Sequence, residues 1–261
     1  MVKRVFIGVG HGGKDPGAVG KVREADANLT TALELKRLLE AEGFVVGISR
    51  TKNENDPPAE EIREANAFRP DLAIDVHNNA GKGDGFEVYV QTGAHAAKSQ
   101  AAGQAIEKRV KAIGQNSRGV KTRKNGSGQD YFGFLRQVNA PAVIAEGFFV
   151  DNATDAAAFD TAAEQRKLAQ AYAQGIMDHL GSSGTLYRVQ VGAFSKKANA
   201  ERKMQAVKAA GFDAFVACVD GKLWRVQVGA FREKTNAENM LARLQKAGFS
   251  GFVTTLSGVK K

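Results

Sequence analysis

Three side chains of the kinds that bind metals or move protons fall at the carboxyl ends of predicted strands. His11 follows an apolar run at 5–9, His77 follows one at 72–76, and Glu146 closes one at 142–145. In open α/β sheets, sites form outside the carboxyl ends of the strands, so the convergence counts for more than any one residue. Imidazole ligates metals or relays protons, and a carboxylate does either. The single cysteine, Cys218, permits neither an internal disulfide nor a cysteine metal site, so any metal falls to His, Asp or Glu. Taken singly, each residue has a plainer reading. A histidine after a strand can serve as a loop hydrogen-bonder, and Glu146 can cap the segment that follows it. The other histidines are weaker candidates: His95 opens a predicted helix, and His179 lies in the last turn of one, where a cation suits the helix dipole.

The elements that must position these residues read as alternating strands and helices over residues 1–181. Strands are expected at 5–9, 45–49, 72–76, 86–90 and 142–145. Helices are expected at 25–42, 60–68, 96–113 and 164–180, stopped in turn by Gly43, Pro70, Gly114 and Gly181. Leu29, Leu33, Leu35, Leu38 and Leu39 supply the apolar stripe of the first helix. Such alternation predicts an α/β fold, a mostly parallel sheet flanked by helices. A glycine-rich segment at 114–133 carries Arg118, Lys121, Arg123 and Lys124 with Asp130 and Tyr131, and reads as a loop, either solvated or facing a substrate.

Gly8-Val9-Gly10-His11-Gly12-Gly13 satisfies the dinucleotide pattern G-x-G-x-x-G directly after a strand. That pattern needs a helix starting within the loop, so that its N-terminus meets the pyrophosphate. Here Lys14-Asp15-Pro16-Gly17 and Gly20 follow, the helix cannot begin before about Glu24, and Arg50 replaces the acid expected after the second strand. A nucleotide site is therefore not expected.

The C-terminal part is a tandem repeat. Tyr187-Arg-Val-Gln-Val-Gly-Ala-Phe194 returns as Trp224-Arg-Val-Gln-Val-Gly-Ala-Phe231, and Asn-Ala-Glu and Ala-Gly-Phe each recur in the same order. Each unit reads strand, helix, strand, and two units predict a small α+β, ferredoxin-like domain: one four-stranded antiparallel sheet with two helices on one face. Alternation turns Val189, Val191, Val226 and Val228 toward the helices and Arg188, Gln190, Arg225 and Gln227 toward the bare face, which is either a solvated surface or a docking platform. Domain limits follow: 1–181, a Gly-Ser linker at 182–184, and 185–261.

The charge divides along the same line. Residues 1–181 carry 23 basic and 23 acidic side chains, whereas residues 182–261 carry 14 and 5, so the whole net charge of +9 belongs to the repeat. Sheets that bind RNA stack bases on strand aromatics. Here Tyr187 and Trp224 fall on the valine face, so no nucleic-acid partner is expected. No window approaches the ~20 apolar residues of a membrane span, and the N-terminus reads as no export signal, the apolar run there being too short.

These motifs carry two resemblances. The doubled Tyr/Trp-Arg-Val-Gln-Val-Gly-Ala-Phe, Asn-Ala-Glu and Ala-Gly-Phe motifs resemble the SPOR domain, over about 185–256. That resemblance implies binding to bacterial cell-wall glycan, preferentially strands lacking stem peptides. The front part, with Gly10-His11-Gly12-Gly13-Lys14-Asp15-Pro16-Gly17-Ala18, then Glu24, Arg50-Thr51, Arg63 to Asn66, Asp71-Leu72 to His77-Asn78-Asn79-Ala80, and Pro141 to Phe148, resembles the zinc-dependent N-acetylmuramoyl-L-alanine amidases over about 3–180. Two departures stand out: Asp75-Val76-His77-Asn78-Asn79-Ala80 replaces serine-isoleucine-histidine-alanine-asparagine-alanine, and Gly147 replaces a small polar residue. The resemblance implies one catalytic Zn²⁺ held by His11, Glu24 and His77, with Glu146 as general base, and cleavage of the amide between N-acetylmuramic acid and L-alanine in peptidoglycan. Alternatives are a zinc peptidase acting on stem-peptide bonds and a non-catalytic wall-binding protein. The expected setting is the cell wall, reached by release through lysis or holin-type export, as for a phage endolysin or a sporulation autolysin.

Overall fold

The computed structural model describes residues 2–181, 187–219, 223–231 and 234–255. The expected linker at 182–184 lies outside the described residues. The chain divides into two compact units, the first closing with a helix at Ala162–Leu180 and the second opening with a strand at Tyr187–Phe194.

In the first unit the strands are β1 (Arg4–Val9), β2 (Val45–Ile48), β3 (Leu72–Asn79), β4 (Phe86–Val90), β5 (Ser117–Lys121) and β6 (Ala142–Phe149). They form one sheet in the order β2-β1-β3-β6-β4-β5, parallel throughout except where β4 meets β6. The helices are α1 (Glu24–Ala41), α2 (Pro58–Phe68), α3 (Ala96–Ala112), α4 (Gly133–Gln137), α5 (Ala153–Ala157) and α6 (Ala162–Leu180). Strand alternation splits the core into two layers. Val5, Ile7 and Val9 of β1 pack with Leu35 and Leu39 of α1, Ile106 of α3 and Ile176 of α6. Phe6 points the other way, into a smaller layer with Ile62 and Ala65 of α2 and Phe134 and Leu135 of α4. Each fully buried aliphatic side chain contributes about 1.5–3 kcal/mol relative to exposure. Local signals agree with these boundaries. Pro58 opens α2, where its missing N–H costs nothing, and Thr161 with Glu164 closes a capping box on α6.

Three expectations need correction. β3 and β6 run past their apolar stretches, so His77 and Glu146 lie inside strands rather than at their ends; the two residues are register partners across β3 and β6. An apolar-run criterion stops where polar residues begin, but the ladder continues through them. The glycine-rich segment at 114–133 contains β5, an edge strand whose Ser-Arg-Gly-Val-Lys sequence carries little apolar signal. Leu33, assigned to the buried stripe of α1, is exposed, and Thr31 and Ala32 are buried in its stead.

The second unit comprises β7 (Tyr187–Phe194), α7 (Lys197–Ala209), β8 (Phe215–Val219), β9 (Leu223–Phe231), α8 (Lys234–Lys246) and β10 (Phe252–Thr255). Its antiparallel sheet has the order β10-β7-β9-β8. Val189, Val191, Val226 and Val228 are all buried against Ala200 and Val207 of α7 and Ala237 and Leu244 of α8, as alternation requires.

Candidate active site

His11 follows β1 in a left-handed backbone conformation (φ 64°), uncommon for a residue other than glycine. Glu24 is the first residue of α1 and is almost fully buried. His77 stands on β3, beside β1 in the centre of the sheet. One ligand atom from each of the three lies within 4.8 Å of the others. Glu24 Oε1 is 3.2 Å from His11 Nε2 and 3.1 Å from His77 Nδ1, and the two imidazole rings meet edge to face at 5.0 Å. Two glycines permit this crowding. A Cβ at Gly10 would stand 2.2 Å from the His77 ring, and one at Gly17 would stand 2.6 Å from Glu24 Oε2 and 2.7 Å from His11 Cδ2.

The outward nitrogens are also engaged. His11 Nδ1 faces Asp15 Oδ2 at 2.8 Å, and His77 Nε2 faces Asp75 Oδ2 at 3.3 Å. Glu24 accepts from the backbone N–H of Ala18 at 2.8 Å and of Asn78 at 3.2 Å. Arg50, fully buried, donates to the carbonyls of Val9, Gly10 and Ala25, and Asn28 donates to Gly10 and accepts from Asn78. Arg50 thus braces the turn that carries His11 against the start of α1, which accounts for an arginine where a nucleotide site would have an acid.

The electrostatics follow from this packing. The Glu24 hydrogen bond raises His11 above its ordinary value, against the opposing effect of burial. Burial alone would lower His77, but Asp75 and Glu24 outweigh it and raise it well above. Burial pushes Glu24 up, yet hydrogen bonds from both histidines bring it well below the usual carboxylate range. This combination, two imidazoles and a committed carboxylate with their other atoms already held, is the donor set that suits a divalent transition metal with a coordination position left open.

Glu146 lies one strand over, on β6, opposite His77 on one side and Glu87 of β4 on the other. Its Oε2 is shut from solvent and has no hydrogen-bond partner among the described residues. Burial pushes its carboxyl up to about 7, with His77 opposing and Glu24, Asp75 and Glu87 reinforcing. A carboxylate poised near neutrality suits a general base. His95 and His179 stand apart, His95 at the N-cap of α3 and His179 in the last turn of α6.

Alternation alone places Arg188, Gln190, Arg225 and Gln227 on the face opposite the valines, but that face is not bare. Gln190 and Gln227 are register partners and are only 6% and 5% exposed. Phe252 and Phe215 pair with them from the outer strands, so a row Phe252–Gln190–Gln227–Phe215 crosses the sheet. Arg188 and Arg225 are half-buried on the flanking rows. The side chains that escaped the sequence reading are Asp15, Asp75, Asn28, Asn78 and Glu87. Asp75 had a detectable signal: it precedes His77 by two on a strand and therefore shares its face.

A β1-β3-β6 sheet centre with a His-Glu-His cluster and a carboxylate beside it suits the class of metal-assisted hydrolases on an α/β scaffold. Residues 5–178 match the N-acetylmuramoyl-L-alanine amidase family, and the chain belongs to it; 155–217 and 220–261 match the SPOR domain. The chain is 36% identical, over 84% of its length and 86% of the relative's, to a sporulation-specific N-acetylmuramoyl-L-alanine amidase of Bacillus subtilis (strain 168). It is 34% identical over 69% of its length to an endolysin of Bacillus phage SPP1, of which 67% is covered. Among solved structures, Cwp6 from Clostridium difficile superposes with a TM-score of 0.67 at 31% identity, over 69% of this chain and 30% of that one. The protein is accordingly an N-acetylmuramoyl-L-alanine amidase, a cell-wall hydrolase with a SPOR domain, acting on peptidoglycan. Among the described residues no helix is long and apolar enough to cross a membrane.

Proposed function

We propose that His11, Glu24 and His77 hold a single Zn²⁺ and that Glu146 is the general base for hydrolysis of the muramoyl–L-alanine amide. The observation that carries this is the convergence of three ligand atoms within 4.8 Å beside a carboxyl raised to about 7, whose buried Oε2 has no hydrogen-bond partner among the described residues. Zinc bound there would supply Lewis acidity for the scissile carbonyl and acidify the attacking water. The remaining steps belong to the chain. Glu146 takes the water's proton on the carboxylate and returns it to the leaving amine of L-alanine, so it ends in its starting state. Asp15 and Asp75 fix the ring orientations of His11 and His77.

The SPOR unit, on this reading, holds the enzyme on glycan strands lacking stem peptides, with Arg188, Gln190, Arg225 and Gln227 as contacts, and its surplus of basic over acidic residues, 14 against 5, favours approach to anionic wall. The domain limits 1–181 and 185–261 separate the two tasks. The likeness to a sporulation-specific amidase and to an endolysin supports action on wall during lysis of a cell, whether in sporulation or phage release.

Two measurements test the assignment. His11→Ala is expected to lose zinc by mass spectrometry; full stoichiometric zinc would remove His11 from the ligand set. Digested wall is expected to show new L-alanine N-termini with peptide cross-links intact; broken cross-links would indicate a peptidase.

A further inference from the structure

Glu87 is buried, 3% exposed, and lies directly opposite Glu146 where β4 pairs antiparallel with β6. Residues opposed in this way share one face, with Cα atoms about 4.5–5.5 Å apart. Glu87 gathers four donors: Arg118 through Nε, Lys121 Nζ at 2.6 Å, Tyr89 Oη at 3.0 Å and Asn79 Nδ2 at 3.2 Å. Burial alone would raise its carboxyl; the bonds from Lys121, Arg118 and Tyr89 outweigh that and hold it ionised. One carboxylate is thus matched by two cations, and a unit of positive charge is left over on the β5 side of Glu87, across that residue from the general base.

Both cations are partly open to solvent, Arg118 by 44% and Lys121 by 31% of the side chain. Arg118 spends Nε on Glu87, which leaves the two terminal nitrogens of its guanidinium as a fork for another acceptor. The local backbone is shaped for this. β4 and β5 slip register between Phe86 and Val88, and Gly119, next to Arg118, takes φ 95°, a conformation that favours glycine. If Glu87 served only to bury its own charge, one cation would neutralise it.

We propose that Arg118 and Lys121, moored by Glu87, form a subsite for a carboxylate of the substrate, the free α-carboxyl of the second stem-peptide residue. This rests on the amidase reading, in which L-alanine is the first residue beyond the scissile amide. The second residue carries the nearest negative charge to that bond, and the two cations stand on β5, two strands from Glu146, reaching Glu87 on the strand between. The pair therefore selects stems with that carboxyl free over stems in which it is amidated.

The test uses full-length, zinc-loaded protein and two synthetic substrates, N-acetylmuramoyl-L-alanyl-D-glutamate joined through its γ-carboxyl and its α-amidated counterpart, each extended by the same third residue. The wild-type ratio of kcat/KM, free over amidated, is expected to be about tenfold or more, the worth of one charge-assisted hydrogen bond. Arg118→Gln and Lys121→Gln are expected each to bring the ratio toward one, chiefly through KM. A wild-type ratio near one, or a ratio that persists in both variants, would overturn the subsite whatever the absolute rates. Turnover of the amidated substrate by the wild type keeps this outcome separate from failure of the amidase reading, in which neither substrate is cleaved.

Discussion

Asp75 stands behind His77, its Oδ2 3.3 Å from Nε2, while the other nitrogen of the same ring faces Glu24. The ring is therefore held between two carboxylates, and were a metal to take Nδ1, Nε2–H would remain to donate to Asp75. Asp75 also has a cost. It is nearly fully buried and lies against Glu61, whose carboxyl burial and Asp75 together push well above the usual range. Asp75→Ala is expected to weaken zinc binding by about 10- to 100-fold while leaving the metal-free protein no less stable. Competition with a calibrated chelator reads the first, and thermal denaturation in chelator reads the second.

Gly10 is where the backbone must pass beneath His77. With a Cβ there 2.2 Å from the ring, Gly10→Ala is expected to displace His77 and reduce zinc occupancy sharply. Gly93→Ala is the control, since a Cβ at that position meets nothing within 4 Å and the residue does not adopt a positive φ. Equal zinc content in the two variants would show that the close approach of Gly10 is not needed.

Zinc and protons compete for the histidines. Both His11 and His77 are raised above 6.5 in the metal-free protein, so each binds a proton more readily than a free imidazole, and that proton must leave when metal binds. Affinity is therefore expected to fall as pH drops from 8 toward 6, more steeply than for an unperturbed pair of histidines. Calorimetry in buffers of different ionisation enthalpy is expected to report proton release throughout that window, and none at pH 7 would contradict the raised values.

The SPOR unit supplies a separate test in the full chain. Binding of a Glu146→Gln variant, which leaves the wall undigested, is expected to weaken with salt, as charge-assisted approach requires. Gln190→Ala combined with Gln227→Ala is expected to lower the amount bound further at any salt concentration. Cosedimentation with purified wall sacculi measures both.

Much of this was legible in the sequence because periodicity and punctuation are local. The valine alternation of β7 and β9, the glycine stops of the helices and the 37-residue repeat each need only a short window. Glu24 was legible only through family likeness, since a glutamate at a helix start is otherwise a common cap. Glu87 was hidden for a different reason: its partners lie on β5, an edge strand of polar residues, and its relation to Glu146 depends on the one antiparallel pairing in the first sheet. The buried state of Gln190 and Gln227 was equally hidden, because the register that sets them opposite each other and between Phe252 and Phe215 joins four strands distant in sequence. Alternation specifies a face but not what covers it.

The role of Glu146 is the most exposed point. Its carboxyl has no hydrogen-bond partner at Oε2 among the described residues, sits between His77 and Glu87, and is raised to about 7, all of which suits proton transfer and not metal ligation. The measurement is zinc content and wall hydrolysis of Glu146→Gln, taken on the same preparation. Stoichiometric zinc with turnover reduced by about 10²-fold or more is expected; turnover near that of the wild type, or loss of the zinc, would contradict it.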